Sequence, residues 1–455
     1  MSRPPTGLFD PPRPGRRRRA PTPPAGPPEG PPEAPKANGK DHGHWWDRAL
    51  KNKQGNLHTN FANASLTLAE DPLFKGLLAY DEMRRAAVTL RAVPMQENPH
   101  KPGKLDDYAI NGIQRCLQHW YPKLGVDITL QAIDDVAVKE RFHPLRDWLN
   151  GLVWDGEPRL DMLFPAYFGA TDTDPDDETK AAPYLRMIGP AFLMSMVARI
   201  DRPGCQADYM IVLEGDQGTL KSTACRVLAG EYFSDNLPKL HNGDRVRIAM
   251  HLRGRWLIEV AEMASLDRAE ASDLKEFLSQ VEETFVPKFG RHEVTEKRQT
   301  IFIGTTNAAQ YLRDTTGARR FWPVRTGYID IDALERDRAQ LFAEAVARYR
   351  AGEPYWPSPE DEARFFKPVQ ASRFQSDEAW ESLVGDYLDN DRDDLGFERG
   401  PRQQTTILEI ARKALFLDAG KIGTIDQRRI SSILEHKGWT RGKRTGHGIP
   451  WVRPR

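Results

Sequence analysis

Three short apolar runs in the middle of the chain indicate its architecture. They are YMIVLEG, which begins at Tyr209, WLIEVAE, which begins at Trp256, and TIFIGTTN, which begins at Thr300. Each run contains β-branched residues, and segments with helical apolar spacing separate the three. Continuous apolar runs of this length are typical of parallel strands that are buried on both faces. The pattern predicts an α/β core with a parallel sheet.

Helical patterns flank this core on both sides. The segment PYLRMIGPAFLMSMVARI is apolar around most of its circumference and predicts a buried helix. Before it, HPLRDWLNGLVWDGEPRLDMLF predicts helices joined by a turn at Asp155-Gly156. Nearer the N-terminus, PLFKGLLAYDEMRRAAVTL and DDYAINGIQRCLQHWY both show helical spacing. Near the C-terminus, TIDQRRISSILEHKGW predicts a helix that Thr424 or Asp426 caps and Gly438 ends.

These patterns divide the chain into six predicted segments. They are a disordered tail rich in Pro and Arg over 1–43, a small, mainly helical domain over 44–140, a helical lead-in over 141–205, the α/β core over 206–330, a helical linker over 331–375 and a basic C-terminal module over 376–455. Thirteen of the first 35 residues are Pro, so the tail has too little to bury to offset its ordering entropy. Its Arg16–Arg19 run fits either DNA contact or a solvated tail.

Charge and composition narrow the class of protein. Lys plus Arg and Asp plus Glu both number 65, so the net charge is zero and wholesale polyanion binding is disfavoured. No stretch approaches the roughly 20 apolar residues of a membrane span, and the N-terminus lacks a signal-peptide core. Three widely spaced cysteines form neither a disulfide framework nor a metal knuckle. We expect a cytoplasmic protein without a membrane partner.

The most informative motif is the segment VLEGDQGTLKSTACRVLAG, in which a strand, a glycine-containing loop and a helix follow one another. Glycines let backbone N–H groups turn towards phosphates, and a helix N-terminus favours anions. The motif predicts an ATP site made of Gly215, Asp216, Gln217, Gly218, Thr219, Leu220, Lys221, Ser222 and Thr223. Lys221 would contact the β- and γ-phosphates, and the Ser222 hydroxyl would ligate Mg²⁺. Leu220 departs from the consensus, which has Gly there; a chance Gly-Lys-Ser turn is the alternative.

Polar residues at the ends of the next two strands are candidates for the rest of the chemistry. An ATPase needs one carboxylate for Mg²⁺ and another for the attacking water. We assign Glu259 to the metal and Glu262 to the water, the alternative being two solvated surface acids. Asn307 ends the third run, where it is either a γ-phosphate sensor or a turn residue.

Two basic features lie further from this motif. Arg319 and Arg320, in DTTGARRFWPV, are candidates for an arginine that acts on a neighbouring subunit's γ-phosphate, or for a surface pair. The piece FVPKFGRHEV, after a helix predicted to end near Thr284, predicts a hairpin with its tip at Phe289-Gly290. Its Lys288, Arg291 and His292 fit contact with DNA or simple solvation.

In this order, the motifs HPLRDWLNGLVWDGEPRLD, RPGCQADYMIVLEGDQGTLKST, WLIEVAEM, GTTN and YLRDTTGARRFWPV resemble the virulence-associated protein E family. That family comprises phage and prophage AAA+ ATPases related to superfamily 3 helicases. The resemblance covers roughly 140–360, and 50–140 more weakly. It implies an AAA+ P-loop NTPase fold, a Walker A loop at Gly215–Ser222, a Walker B carboxylate at Glu259 or Glu262, a sensor at Asn307 and an arginine finger at Arg319 or Arg320. It also implies a homo-oligomeric ring, most simply a hexamer, and a separate primase as a partner.

The C-terminal segment adds a second candidate DNA contact. From Arg428 to Arg455 there are eight Lys or Arg and one acid, and a helix is followed by the Gly-rich basic pattern TRGKRTGHGIPWV. Helix plus hairpin predicts a winged-helix-like module, with Arg441, Lys443 and Arg444 as DNA contacts. Together the features predict an ATP- and Mg²⁺-dependent DNA helicase of a phage or integrated element, acting on single- or double-stranded DNA. An ATPase switch or loader without unwinding, and a DNA-binding protein with a degenerate loop, remain as alternatives.

Overall fold

A computed structural model describes residues 45–96, 101–171, 173–174, 177–241, 243–288, 290, 292–312, 318–373, 378–392, 398–417, 422–442 and 449–454. These residues form two compact units. The first contains the described residues up to Ala309 and those of 318–371, and the second contains 310–312 and the described residues from Ser372 onward. No helix among the described residues combines the length and the apolar character needed to cross a membrane.

The N-terminal part of the first unit is a mixture of helices and strands. Its helices are Trp45–Arg48, Phe61–Glu70, Asp107–Leu117 and Val126–Ala137. A four-stranded sheet runs in the order Gly103–Lys104, Ala86–Thr89, Leu78–Asp81, Arg141–Phe142. The sequence predicted helical structure over Pro72–Leu90, and this was wrong. The segment is an antiparallel hairpin whose turn contains Arg85 at φ 52°, and its strands bury apolar residues against the neighbouring helices.

The central sheet has five parallel strands, which we number β1 (Met210–Glu214), β2 (Phe233–Ser234), β3 (Leu257–Val260), β4 (Ile301–Thr306) and β5 (Phe321–Arg325). Their order across the sheet is β5-β1-β4-β3-β2. Strands β1, β3 and β4 are the three predicted apolar runs, and every residue in them is buried. The sequence did not indicate β5 as a strand because Pro323 interrupts it. Proline is tolerated there because β5 lies at an edge of the sheet, where no ladder needs its missing N–H.

Helices cover the sheet and complete one large core. Pro144–Gly151, Leu163–Phe168 and the buried Pro183–Asp201 precede β1, as the apolar patterns predicted. The helix Ile331–Arg350 was predicted as a linker, but it belongs to this core. Its Leu334, Leu341, Phe342 and Val346 recur at helical spacing and are buried. The remaining helical elements of this unit are Leu160–Met162, Lys221–Ala229, Gly230–Tyr232, Arg245–Leu252, Met263–Ser265, Arg268–Ser279, Ala318–Arg320, Pro359–Asp361, Glu362–Phe366 and Lys367–Ala371, and a small pair of strands spans Thr173–Asp174 and Asp177–Ala181.

A two-stranded hairpin lies between β3 and β4 along the chain. The preceding helix ends at Ser279, earlier than predicted, and the strands are Glu282–Phe285 and Val294–Lys297. The base of the hairpin is fixed to its surroundings through Glu296, which accepts hydrogen bonds from Arg85 at 2.5 Å and from Arg253 at 2.6 Å. Burial acts to raise the pKa of Glu296, but these two arginines outweigh it and lower that pKa below its usual range. The hairpin therefore has a charged anchor at its base.

The second unit has its own small core. Three helices, Glu378–Asp389, Ile407–Lys413 and Thr424–His436, accompany an antiparallel sheet of Gln404–Thr405, Trp451–Val452 and Thr440–Arg441 in that spatial order. A further strand pair joins Asp391–Arg392 to Glu398–Gly400. Apolar side chains from all three helices pack with Trp439 and Trp451. The last helix is capped partly as predicted: its N-cap residue is Gly423 rather than Thr424, but the Asp426 carboxylate accepts a hydrogen bond from the backbone N–H of Gly423, and Gly438 adopts φ 78° just beyond the helix end.

Candidate active site

The loop between β1 and the helix Lys221–Ala229, which we call the glycine loop (residues 215–220), lies at the carboxyl end of β1. Gly218 has φ 86° and Leu220 has φ 65°, both in the left-handed region. A left-handed conformation costs a residue with a Cβ about 1–2 kcal/mol, and it costs Gly almost nothing. The structure thus gives the reason that the consensus has Gly before the lysine. Here Leu220 adopts the same backbone conformation, at a cost in strain.

Replacing Leu220 with Gly is expected to raise the free energy of unfolding by up to about 1 kcal/mol, because relief of strain outweighs the greater freedom of Gly in the unfolded chain. Little packing is lost, since the Leu220 side chain is 48% exposed. Chemical denaturation with intrinsic fluorescence measures the change. The matched control is Leu220→Ala, which keeps the Cβ and should gain nothing. A destabilised Gly variant would contradict the strain at this position.

Lys221 points back into the glycine loop. Its Nζ donates to the carbonyl oxygens of Gly215 at 2.7 Å and Asp216 at 2.8 Å, and it lies 3.1 Å from the Thr219 hydroxyl. The Asn307 Oδ1 is 3.3 Å away. Burial lowers the pKa of Lys221, although Asp216 and Glu259 act against that shift. The lysine ammonium group is thus held in the curve of the loop, next to the predicted sensor residue.

A second cluster surrounds Glu259, which lies within β3 and is 2% exposed. Its Oε1 accepts hydrogen bonds from the Ser222 hydroxyl at 2.8 Å and the Thr305 hydroxyl at 2.7 Å. Its Oε2 is buried and has no hydrogen-bond partner among the described residues. Buried carboxylate oxygens are rarely left unpaired, so this one is suited to a cation or to a water bound by a cation.

The residues present fit a Mg²⁺ ion. The described residues contain no cluster of three or more His, Cys, Asp or Glu side chains that could hold a metal by themselves. Magnesium at nucleotide sites needs no such cluster, because it keeps several waters and uses one or two protein oxygens together with substrate phosphates. Ser222 and Glu259 are the side chains here whose oxygens could take that part. Thr305 orients Glu259 and was not predicted; its only signal in the sequence was a hydroxyl at the end of an apolar strand.

Glu262 lies two residues beyond β3 and is exposed, with φ 53° at the start of the turn Met263–Ser265. Its carboxylate makes no hydrogen bond to Lys221, Ser222 or Asn307, all of which are described. A non-glycine residue in the left-handed region is uncommon, and two of the five such residues in the described chain are Leu220 and Glu262. Strain of this kind concentrates at functional sites.

Arg319 and Arg320 lie at the amino ends of the strands, whereas the glycine loop lies at their carboxyl ends. They form the turn Ala318–Arg320 just before β5, whose first residue Phe321 pairs with Met210, the first residue of β1. The glycine loop follows the other end of β1. Each of these paired strands spans four residue steps of about 3.3 Å, or about 13 Å in all. The arginine turn and the glycine loop lie beyond opposite ends of the pair, so they are further apart than that. Neither arginine reaches the glycine loop of its own chain.

The predicted DNA contacts are only partly described. Lys288 and His292 are exposed near the tip of the hairpin, and Arg441 is exposed in the second unit, where its guanidinium lies 5.0 Å from the centre of the Trp451 ring. Arg291, Lys443 and Arg444 lie outside the described residues. The described ones are accessible to a ligand.

The segment that contains this site matches a known protein family. Residues 149–375 match the virulence-associated protein E-like domain. Through this segment the chain belongs to the virulence-associated protein E family. The matched segment contains the whole central sheet, the glycine loop, the Glu259 cluster and the arginine turn. No curated protein matches the sequence.

Solved structures show more distant similarity to the chain. The apo structure of the NrS-1 C-terminal region (305–718) is 14% identical, covers 82% of this chain and 95% of its own, and has a TM-score of 0.43. A point mutant of Thermotoga maritima RuvB is 13% identical, covers 58% of this chain and 91% of its own, and has a TM-score of 0.22. Similarity at this level carries no argument about activity.

Proposed function

We propose that this protein is an ATP- and Mg²⁺-dependent motor of the AAA+, superfamily 3 helicase type that acts on DNA during replication of a phage or integrated element. One observation supports this above all: the Ser222 and Glu259 side chains are joined by a hydrogen bond beside a lysine that the glycine loop encircles. The strand order β5-β1-β4-β3-β2, with β4 inserted between β1 and β3, also supports the AAA+ assignment.

The chain's own residues divide the work of hydrolysis. Backbone N–H groups of the glycine loop and the Lys221 ammonium bind the phosphates, and Lys221 exchanges its carbonyl partners for phosphate oxygens. Ser222 and Glu259 would hold Mg²⁺, which would neutralise phosphate charge when bound. Asn307 contacts the γ-phosphate from the end of β4. Glu262, on the turn after β3, orients the attacking water, which requires the carboxylate to swing towards the loop when nucleotide is present.

The DNA-binding and assembly proposals rest on separate features. The hairpin with Lys288 and His292 at its tip would face DNA in the channel of a ring, and the second unit, proposed to be a winged helix, would bind DNA through Arg441 and its basic neighbours. The separation of the arginine turn from the glycine loop supports an oligomer, because an arginine finger can then act only on the next subunit. We propose a ring, with six subunits as the simplest number.

The decisive experiment measures ATP hydrolysis with and without single-stranded DNA, together with a strand-displacement assay and a sizing measurement. Hydrolysis stimulated by DNA, with strand displacement, supports the motor. Hydrolysis without displacement instead favours a switch or loader. DNA binding without any turnover favours a non-enzymatic protein.

Isosteric changes of the two glutamates test their roles. Glu262→Gln is expected to retain ATP binding and to lose turnover, because the amide cannot accept a proton from the attacking water. Glu259→Gln is expected to weaken the dependence on Mg²⁺, because the amide carries no charge for the cation. Mg²⁺ titrations of ATP binding and hydrolysis distinguish the two variants. If the two phenotypes are exchanged, the site stands and the roles are reversed.

A further inference from the structure

A cleft of about 440 Å³ opens beside the glycine loop. Gly218, Thr219 and Leu220 form part of one wall, and residues 325–329, the last residue of β5 and the four that follow it, form the other. Small-molecule sites generally have volumes of about 300–1,000 Å³, so the cleft is large enough for the base and sugar of a nucleotide. None of the residues in the wall beyond β5 has a role in the phosphate chemistry described above.

Tyr328 is the notable residue of that wall. Tyr328 is 83% exposed and lines the cleft rather than the core. Single exposed aromatic residues are ordinary on protein surfaces, and exposure alone indicates nothing. What distinguishes Tyr328 is its backbone, which is fixed on both sides.

Three contacts hold the backbone around Tyr328. The N–H of Gly327 donates to the carbonyl of Phe168, and the N–H of Asp330 donates to the carbonyl of Tyr167, both at 3.0 Å. Gly169, in the same neighbouring segment, packs so closely that an added Cβ would lie 2.5 Å from the backbone carbonyl oxygen of Tyr328. The segment is therefore a rigid support that presents an open ring beside the glycine loop. An aromatic side chain has only two χ angles, so on a fixed backbone it loses little entropy when it binds a flat ligand.

We propose that the Tyr328 ring is the stacking surface for the nucleobase of the bound nucleoside triphosphate. The inference rests on the proposed function, since it presumes that the glycine loop holds the phosphates. Stacking on an aromatic face tolerates every base, because each base has a π-face. The site is accordingly expected to accept all nucleoside triphosphates and to prefer purines, whose stacking area is larger.

The test compares Tyr328→Ala with Tyr328→Phe in the full chain, using calorimetric titrations of ATP, UTP and inorganic tripolyphosphate. Tyr328→Ala is expected to raise the Kd for ATP roughly 5- to 100-fold and to remove most of the preference for ATP over UTP. Tyr328→Phe keeps the ring and should bind ATP like the wild type. Tripolyphosphate has no base, so neither variant should bind it more weakly. Phe416→Ala, which removes an equally exposed aromatic ring from the second unit, is the matched control and should change nothing.

Three results would overturn the proposal. An unchanged Kd for ATP in Tyr328→Ala would exclude stacking while leaving the phosphate site intact. Equal losses for ATP and tripolyphosphate would show that the ring only supports the loop. If the wild-type protein binds neither ligand, the proposed function itself fails, and the base site fails with it.

Discussion

Replacing Lys221 with Ala is expected to abolish nucleotide hydrolysis. The Nζ of Lys221 lies between the Gly215 and Asp216 carbonyls and next to Asn307, where it would meet the β- and γ-phosphates. Among the described residues, no other lysine or arginine side chain is hydrogen-bonded to the glycine loop, so no second charge occupies the position of Nζ. Loss of a single well-placed donor to a developing negative charge lowers kcat about 10²- to 10³-fold, and loss of a full charge costs at least as much. A coupled phosphate-release assay measures the change.

The variant should also be somewhat less stable. Lys221 is only 8% exposed, so its side chain is largely removed from solvent. Removing its hydrogen bonds to two carbonyls should cost about 1–2 kcal/mol of unfolding free energy. Lys239→Ala, a change at an exposed lysine, is the control for a general effect of losing a positive charge. Turnover within a few-fold of wild type, in a folded Lys221→Ala protein, would refute the assignment of the phosphate site.

Replacing Arg319 with Ala is expected to leave nucleotide binding near normal and to lower turnover by about 10³-fold, because an arginine finger acts chiefly on the transition state. The structure favours Arg319 over Arg320 for this role. The Nε of Arg320 already donates to the Ser279 hydroxyl at 2.9 Å, whereas Arg319 is exposed and makes no ion pair or hydrogen bond with any described residue. Arg320→Ala is therefore the matched control, with a smaller expected effect on turnover.

If Arg319 acts on the nucleotide of a neighbouring subunit, two further results are expected. Specific activity should rise with protein concentration and level off as the oligomer saturates. Mixing Arg319→Ala protein with Lys221→Ala protein should restore part of the activity, because some interfaces in a mixed ring then contain both intact halves. No recovery in confirmed mixed rings, with activity independent of concentration, would mean that the arginine acts within its own subunit or is structural.

The sequence by itself determined the parts of the site that depend on local order. Strands β1, β3 and β4 were recognisable because burial on both faces requires an unbroken apolar run, whatever lies beside it. The glycine loop was recognisable because a strand, a turn that needs left-handed residues and a helix N-terminus must follow one another directly. The order of these motifs along the chain also carried the resemblance to the virulence-associated protein E family, which the match over 149–375 confirmed.

Only the tertiary structure decided which of these parts meet. Strand β4 pairs with both β1 and β3, and this brings Thr305 and Asn307 to Glu259 and Lys221, although more than 40 residues separate each pair. The same parallel pairing places the arginine turn at the amino ends of the strands, opposite the glycine loop, because the amino ends of parallel strands lie together. The hairpin at Leu78–Thr89 and the edge strand β5 escaped prediction for a related reason. The apolar residues of the hairpin match helical spacing, and β5 contains a proline. In both cases, residues distant in sequence pack against the segment and favour a strand.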